Sequence, residues 1–127
     1  MNKAKILIID DEIELMEMVS LRLQASGYQV SLACDGQEGL DKARNDPPDL
    51  IILDLMLPKI DGYKLCRMLK LDAKCKKIPI ILFTARTQAC DIKLGEEAGA
   101  DDYLGKPFEP DILLAKIKQL LKSGDNN

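Results

Sequence analysis

Three short runs of apolar, mostly branched residues constrain the fold of this chain more than any other feature. They occupy residues 6–9, 50–53 and 80–83, and none of them alternates with polar residues. Strands that are buried on both faces have this pattern, and such strands occur mainly in parallel sheets covered by helices. Residues 28–33 and 102–104 are more polar and predict two further strands at the edges of the sheet.

Helical patterns separate these strands. We predict five helices, over residues 12–26, 37–45, 62–73, 88–98 and 110–122. Strands that alternate with helices through short connections are typical of an α/β fold, here a doubly wound five-stranded parallel sheet. Three interior and two edge strands fit the order 2-1-3-4-5. Ligands of such sheets bind at the carboxyl ends of the strands, near the point between the first and third strands.

The length, 127 residues, fits one domain, which we expect to span residues 1–122, followed by a polar tail at residues 123–127. The net charge is −3 and no basic stripe is evident, so we expect no direct binding to nucleic acid. No apolar run approaches the roughly 20 residues that cross a bilayer, and the N-terminus lacks a signal-peptide core. We therefore expect a cytoplasmic protein without membrane contact.

The chain contains no histidine, and its four cysteines form no C-x-x-C pair. A Ser-His-Asp or Cys-His catalytic site is therefore excluded. A zinc site is not expected either, because its usual ligands are missing or poorly spaced. If phosphohistidine chemistry is involved, the histidine must belong to another protein.

Three aspartates fall at the ends of predicted neighbouring strands. Asp10 and Asp11 follow the first strand, and Asp54 ends the third. One aspartate could simply cap a helix. Three converging carboxylates, however, repel one another unless a cation neutralises them. Hard oxygen ligands without histidine favour Mg²⁺, with Mn²⁺ as the other candidate.

Thr84 ends the fourth strand and Lys106 follows the fifth, on the same rim of the sheet. Taken alone, Thr84 could be a cap and Lys106 could form a simple ion pair with a carboxylate. Together with the acidic cluster they predict a phosphoryl site. A lysine and a metal ion neutralise phosphoryl oxygens, a hydroxyl donates a hydrogen bond, and an aspartate can be the covalent acceptor.

These residues, in this order, resemble the receiver domain of two-component response regulators, from residue 3 to about residue 122. The matching motifs are Ile9-Asp10-Asp11-Glu12, Asp54-Leu55-Met56-Leu57-Pro58, Asp61-Gly62, Thr84-Ala85, Gly99-Ala100-Asp101-Asp102-Tyr103 and Lys106-Pro107-Phe108. The resemblance implies a flavodoxin-like fold of the chemotaxis-regulator type. It also implies a signalling switch that catalyses only its own phosphorylation and dephosphorylation, and is not otherwise an enzyme.

The resemblance assigns roles around the acidic cluster. Asp54 looks like the phosphoacceptor. Asp11 and Asp54 would bind Mg²⁺ directly together with the backbone carbonyl of Met56, while Asp10 would help through water. Lys106 would contact the phosphoryl group.

The resemblance also implies a switch and partners. Thr84 would reorient towards the phosphoryl group, Tyr103 would swing inward, and the backbone of Met56 and Ala85 would bind phosphoryl oxygens. The surface of residues 88–122 would then change, contact an unknown output target or effector domain, and offer a dimer face on activation. The donor would be a histidine kinase or a phosphotransfer protein.

Three alternatives remain open. The first is a pseudo-receiver that binds partners without phosphorylation. The second is an aspartate-nucleophile phosphohydrolase. Its D-x-D-x-T motif is not matched after Asp10, because Glu12 stands in place of the second aspartate and Glu14 in place of the threonine. The third is a flavin-nucleotide binder, whose phosphate would be repelled by Asp10, Asp11 and Glu12.

Overall fold

A five-stranded parallel sheet forms the centre of the computed structural model, which describes residues 3–57, 60–84, 93, 96–106 and 109–125. The strands are β1 (Lys5–Ile9), β2 (Gln29–Ala33), β3 (Leu50–Asp54), β4 (Ile80–Thr84) and β5 (Asp102–Gly105). They lie in the order β2-β1-β3-β4-β5, and every neighbouring pair is parallel. The predicted strands and their order are confirmed.

The helices are α1 (Ile13–Ala25), α2 (Gly36–Asn45), α3 (Gly62–Leu71) and a C-terminal helix (Pro110–Asp125). Within the described residues, none of the helices has the length and apolar character needed to cross a membrane. The helix predicted over residues 88–98 lies largely outside the described residues. Of that segment, residues 93 and 96–98 are helical.

Two predicted helix ends are wrong by a few residues. Helix α3 ends at Leu71 instead of residue 73, because Asp72 is extended, with φ −81° and ψ 131°. The C-terminal helix continues to Asp125, three residues past its predicted end at residue 122 and into the predicted polar tail. Once buried residues anchor a helix, each further residue adds a backbone hydrogen bond at little cost, so polar composition alone does not end it.

Aspartate caps fix where two of the helices begin. The side chain of Asp35 accepts a hydrogen bond from the backbone N–H of Glu38 at 2.8 Å, at the start of α2. The side chain of Asp61 accepts one from Lys64 at 2.9 Å, at the start of α3. Each cap satisfies an amide that the first helical turn leaves without a partner.

The central strand β3 explains the unbroken apolar runs. All five of its residues are buried. Leu50 and Ile52 face a core under α1 and the C-terminal helix, whereas Ile51 and Leu53 face a second core under α2 and α3. Because both faces are covered, no position of the strand requires a polar residue. Burying each of these side chains stabilises the fold by about 2 kcal/mol.

Gly62 lets α3 begin directly against the end of β3. Its N–H donates to the carbonyl of Leu55 at 3.0 Å. A Cβ added at Gly62 would lie 2.5 Å from both the carbonyl oxygen of Asp54 and the Cα of Leu55. Only glycine fits this approach, which places the first turn of α3 beside the carboxyl edge of the sheet.

Candidate functional site

Two buried carboxylates lie side by side at the carboxyl edge of the sheet. Asp10 directly follows β1, and Asp54 is the last residue of the neighbouring strand β3. Their exposed fractions are 1% and 3%. Among the residues that the structure describes, no other charged side chain is buried. The structure therefore brings these two predicted site residues together.

The two carboxylates are held in the same way. Asp10 Oδ1 accepts from the backbone N–H of Glu12 at 2.9 Å, and Asp54 Oδ1 accepts from that of Met56 at 3.2 Å. In both cases the donor amide lies two residues further along the chain, as in an Asx turn. The second oxygen of each carboxylate faces Lys106, so each aspartate has one oxygen fixed by the backbone and one directed at a cation.

Lys106 reaches this pair from the end of β5. Its Nζ lies 3.0 Å from Asp10 Oδ2, 3.1 Å from Glu12 Oε1 and 3.6 Å from Asp54 Oδ2. It also lies 5.9 Å from the ring centre of Phe83, within cation–π range. Burial by itself lowers the pKa of Lys106, but the hydrogen bond to Asp10 and the nearby negative charges outweigh it, so the pKa is raised. The ammonium stays charged.

One lysine does not balance the negative charge of the site. Burial, and then the charge of Asp10, raise the pKa of Asp54 to about 6, even though the Met56 N–H and Lys106 oppose the shift. The charge of Asp11 makes a smaller contribution to the rise. The site therefore retains excess negative charge at neutral pH, and a further cation would relieve it.

The arrangement of oxygens suits a hard divalent cation. Among the described residues, carboxylate oxygens of Asp10, Glu12 and Asp54 all lie within 4.8 Å of one another. Carboxylates without histidine are the ligand set that Mg²⁺ and Mn²⁺ accept. The residues present thus fit the predicted metal.

Glu12 is a member of this cluster that the sequence analysis did not include. It occupies the N-cap position of α1 without a side-chain cap bond, so its carboxylate is able to turn towards Lys106. Asp11, predicted as a direct ligand, is exposed and lies outside the group of three. Its role as a ligand stays a prediction, and so does that of the Met56 carbonyl.

The predicted switch residues are described only in part. Thr84 ends β4 opposite Gly105 of β5, which places its backbone on the rim near Lys106. The Thr84 side chain and all of Ala85 lie outside the described residues. Tyr103 is half-buried against the core under α2 and α3, and burial raises its pKa to about 12. Its inward movement stays a prediction.

Known proteins share this sequence and fold. Residues 6–118 match the family described as response regulator receiver domain. The alkaline phosphatase synthesis transcriptional regulatory protein PhoP of Bacillus subtilis is 44% identical over 98% of this chain and 51% of its own length. A putative response regulator from Chloroflexus aurantiacus is 40% identical with a TM-score of 0.91, over 95% of this chain and 99% of that chain.

A third relative was solved with a metal. The receiver domain of the sensor histidine kinase PA1611 from Pseudomonas aeruginosa, with a magnesium ion in its active-site cleft, is 29% identical with a TM-score of 0.88, over 95% of this chain and 99% of that one. The chain spans about half the length of the curated relatives that it matches. The family match, the fold and the acidic rim agree, and the chain belongs to the response regulator receiver domains.

Proposed function

We propose that this domain is the phosphoryl-accepting switch of a two-component system, and that Asp54 is the acceptor. The observation that carries the proposal is the buried Asp10–Asp54 pair with Lys106 directed at both. The donor is a phosphohistidine on a partner histidine kinase or phosphotransfer protein, since this chain has no histidine of its own.

In the proposed step, a carboxylate oxygen of Asp54 attacks the phosphorus. The phosphorus–nitrogen bond to the donor imidazole breaks, and its electron pair stays on the imidazole nitrogen. The Met56 N–H keeps the Asp54 carboxylate oriented, and the Lys106 ammonium offsets the negative charge of the phosphoryl oxygens. We propose that the Thr84 hydroxyl and the backbone of Met56 and Ala85 also bind these oxygens.

We propose that Mg²⁺ binds at this rim. Asp11, Asp54 and the Met56 carbonyl would hold it directly and Asp10 through water, while Glu12 is a further carboxylate within reach. The bound ion supplies charge neutralisation at the phosphoryl oxygens. The magnesium in the related Pseudomonas receiver domain supports the assignment. Mn²⁺ accepts the same ligands.

We infer that phosphorylation is read through the surface formed by residues 88–122, with Thr84 and Tyr103 coupling it to the site. Dimerisation through that surface on activation is part of the same proposal. Two relatives, PhoP of Bacillus subtilis and RpaA of Synechocystis sp., are named as transcriptional regulators, and RpaA is also named as DNA-binding. Their names support an effector of that class as the output, whereas we expect no direct nucleic-acid contact from this domain, because its net charge is −3.

The proposal predicts that the chain takes up one phosphoryl group from acetyl phosphate when Mg²⁺ is present. Intact mass spectrometry will detect this single addition. Asp54→Asn, which keeps the shape of the side chain but not its nucleophilic charge, will show no addition. An addition of equal size in the variant, or in the wild type with excess chelator, would contradict the proposal.

Glu12→Gln tests the carboxylate that only the structure revealed. We expect it to weaken Mg²⁺ binding about three- to tenfold, because one charge leaves the oxygen cluster. Stability should change by less than about 1 kcal/mol, because Glu12 is 61% exposed and its ion pair with Lys106 is screened. Calorimetric titration with Mg²⁺ measures the first effect and urea unfolding the second. An unchanged Mg²⁺ affinity would remove Glu12 from the site.

A further inference from the structure

Helix α3 carries two basic and two apolar residues in one line on its solvent side. Lys64, Arg67, Met68 and Leu71 follow the i, i+3, i+4, i+7 spacing that places residues on one helix face. All four are exposed, and Leu71 reaches 78% exposure. We call these residues the α3 stripe.

Helix α1 carries a matching stripe of opposite charge. Glu14, Glu17, Met18 and Leu21 have the same spacing and are likewise exposed. We call these residues the α1 stripe. Read from the start of each helix, two charged residues, a methionine and a leucine follow in the same order on both stripes, with acids on α1 and bases on α3.

The charged residues of both stripes do not stabilise the described part of the fold through ion pairs. In the part of the chain that the structure describes, none of Glu14, Glu17, Lys64 and Arg67 forms an ion pair. The first turn of α3 contains no acidic residue, and Lys64 lies near the helix N-terminus, where a positive charge is unfavourable. The stability of α3 itself therefore does not account for the basic residues.

We propose that the α3 stripe of one copy binds the α1 stripe of a second copy, with the two helices parallel. Parallel alignment brings acids opposite bases, methionine opposite methionine and leucine opposite leucine. Antiparallel alignment would instead place the leucines beside charged side chains. Because the whole chain has a net charge of −3, and the stripe has no aromatic residue, the observations favour this partner over a nucleic acid.

The fold determines what kind of assembly results. Helix α1 covers one face of the sheet and α3 covers the other, because they pack on different cores. Each copy can therefore use both stripes at once, one on each side. Such a head-to-tail contact does not close as a two-fold dimer, so we expect a concentration-dependent series of dimers, trimers and longer chains.

Sedimentation velocity on the wild-type chain, from about 10 μM to about 1 mM at low salt, tests the proposal. The expected result is a sedimentation coefficient that rises with protein concentration and falls when salt is added. A monomer throughout this range would overturn the proposal.

Charge exchange then identifies the surfaces. Glu14→Lys/Glu17→Lys makes both stripes basic, and Lys64→Glu/Arg67→Glu makes both acidic. Each double variant alone should associate at least about tenfold more weakly than the wild type, and an equimolar mixture should associate again. Weakened association that mixing does not restore, or association unchanged in both variants, would overturn the assignment.

Lys76→Glu/Lys77→Glu is the matched control, because it changes the net charge by the same amount as Lys64→Glu/Arg67→Glu, at exposed positions of the turn between α3 and β4 that lie outside both stripes and outside the surface of residues 88–122. This variant should associate as strongly as the wild type. An equal loss in this control would show that net charge, rather than the two stripes, governs association, and would overturn the proposal. Far-ultraviolet circular dichroism verifies that each variant is folded.

Discussion

Asp54→Asn will make the metal-free protein more stable at pH 7, by about 3 kcal/mol, although it removes the proposed phosphoacceptor. The carboxyl of Asp54 has a pKa of about 6 in the folded chain, above its ordinary value of 3.8. Each unit of such a difference corresponds to about 1.4 kcal/mol between the two states. Asparagine keeps an oxygen for the Met56 N–H and carries no charge, so the penalty of burying a charge beside Asp10 disappears.

The sign of the pH dependence follows from the same difference. Because the folded pKa is the higher one, the folded chain binds this proton more tightly. Ionisation therefore costs stability as the pH rises from about 4 to about 6. The advantage of Asp54→Asn should be absent near pH 4 and complete above pH 6.

Urea unfolding in excess chelator, at pH 4, 5, 6 and 7, measures this difference between variant and wild type. Asp41→Asn is the control, since Asp41 is exposed and its replacement should change stability by less than about 0.5 kcal/mol. A wild type that is as stable as Asp54→Asn at pH 7, or a difference that is the same at every pH, would contradict the expectation.

Gly62→Ala will destabilise the domain by about 3 kcal/mol. The new Cβ would lie 2.5 Å from two backbone atoms, those of Asp54 and Leu55, and backbone at the end of a buried strand cannot move aside as a flexible side chain does. The strain also acts on the proposed acceptor, so phosphoryl uptake from acetyl phosphate should slow.

Gly27→Ala separates this steric effect from the loss of glycine as such. Gly27 has a φ of +97°, but nothing lies within 4 Å of an added Cβ. Its replacement should therefore cost only the backbone strain of the left-handed region, about 1 kcal/mol. Thermal and urea unfolding of both variants measure the two values. A Gly27→Ala that is as damaging as Gly62→Ala would show that close packing is not the cause.

The strands could be predicted because strands that are buried on both faces have a simple sequence pattern. A strand such as β3, covered on each side, has no position for a polar residue, so its run is unbroken. The ends of helices have a weaker sequence pattern. Whether α3 stops at Leu71 or two residues later depends on the conformation of Asp72, and composition does not specify that.

The candidate site could likewise be predicted only in part. Asp10, Asp54 and Lys106 could be predicted to meet, because the end of a strand is fixed in space once the strand order is known. Glu12 could not, because its direction depends on how the chain turns from β1 into α1. In the structure, Asp10 and Glu12 face Lys106, whereas Asp11 is exposed.

The burial of β3 has a consequence for how a signal travels. Asp54 ends a strand that is paired with β1 on one side and β4 on the other, and amides in such strands exchange with deuterium only when the whole domain opens. We therefore expect the amides around the proposed acceptor to be among the most slowly exchanging of the molecule. If Asp54 is phosphorylated as proposed, the charge changes at a fixed point, so we expect the response to come from parts of the domain that open more readily than β3.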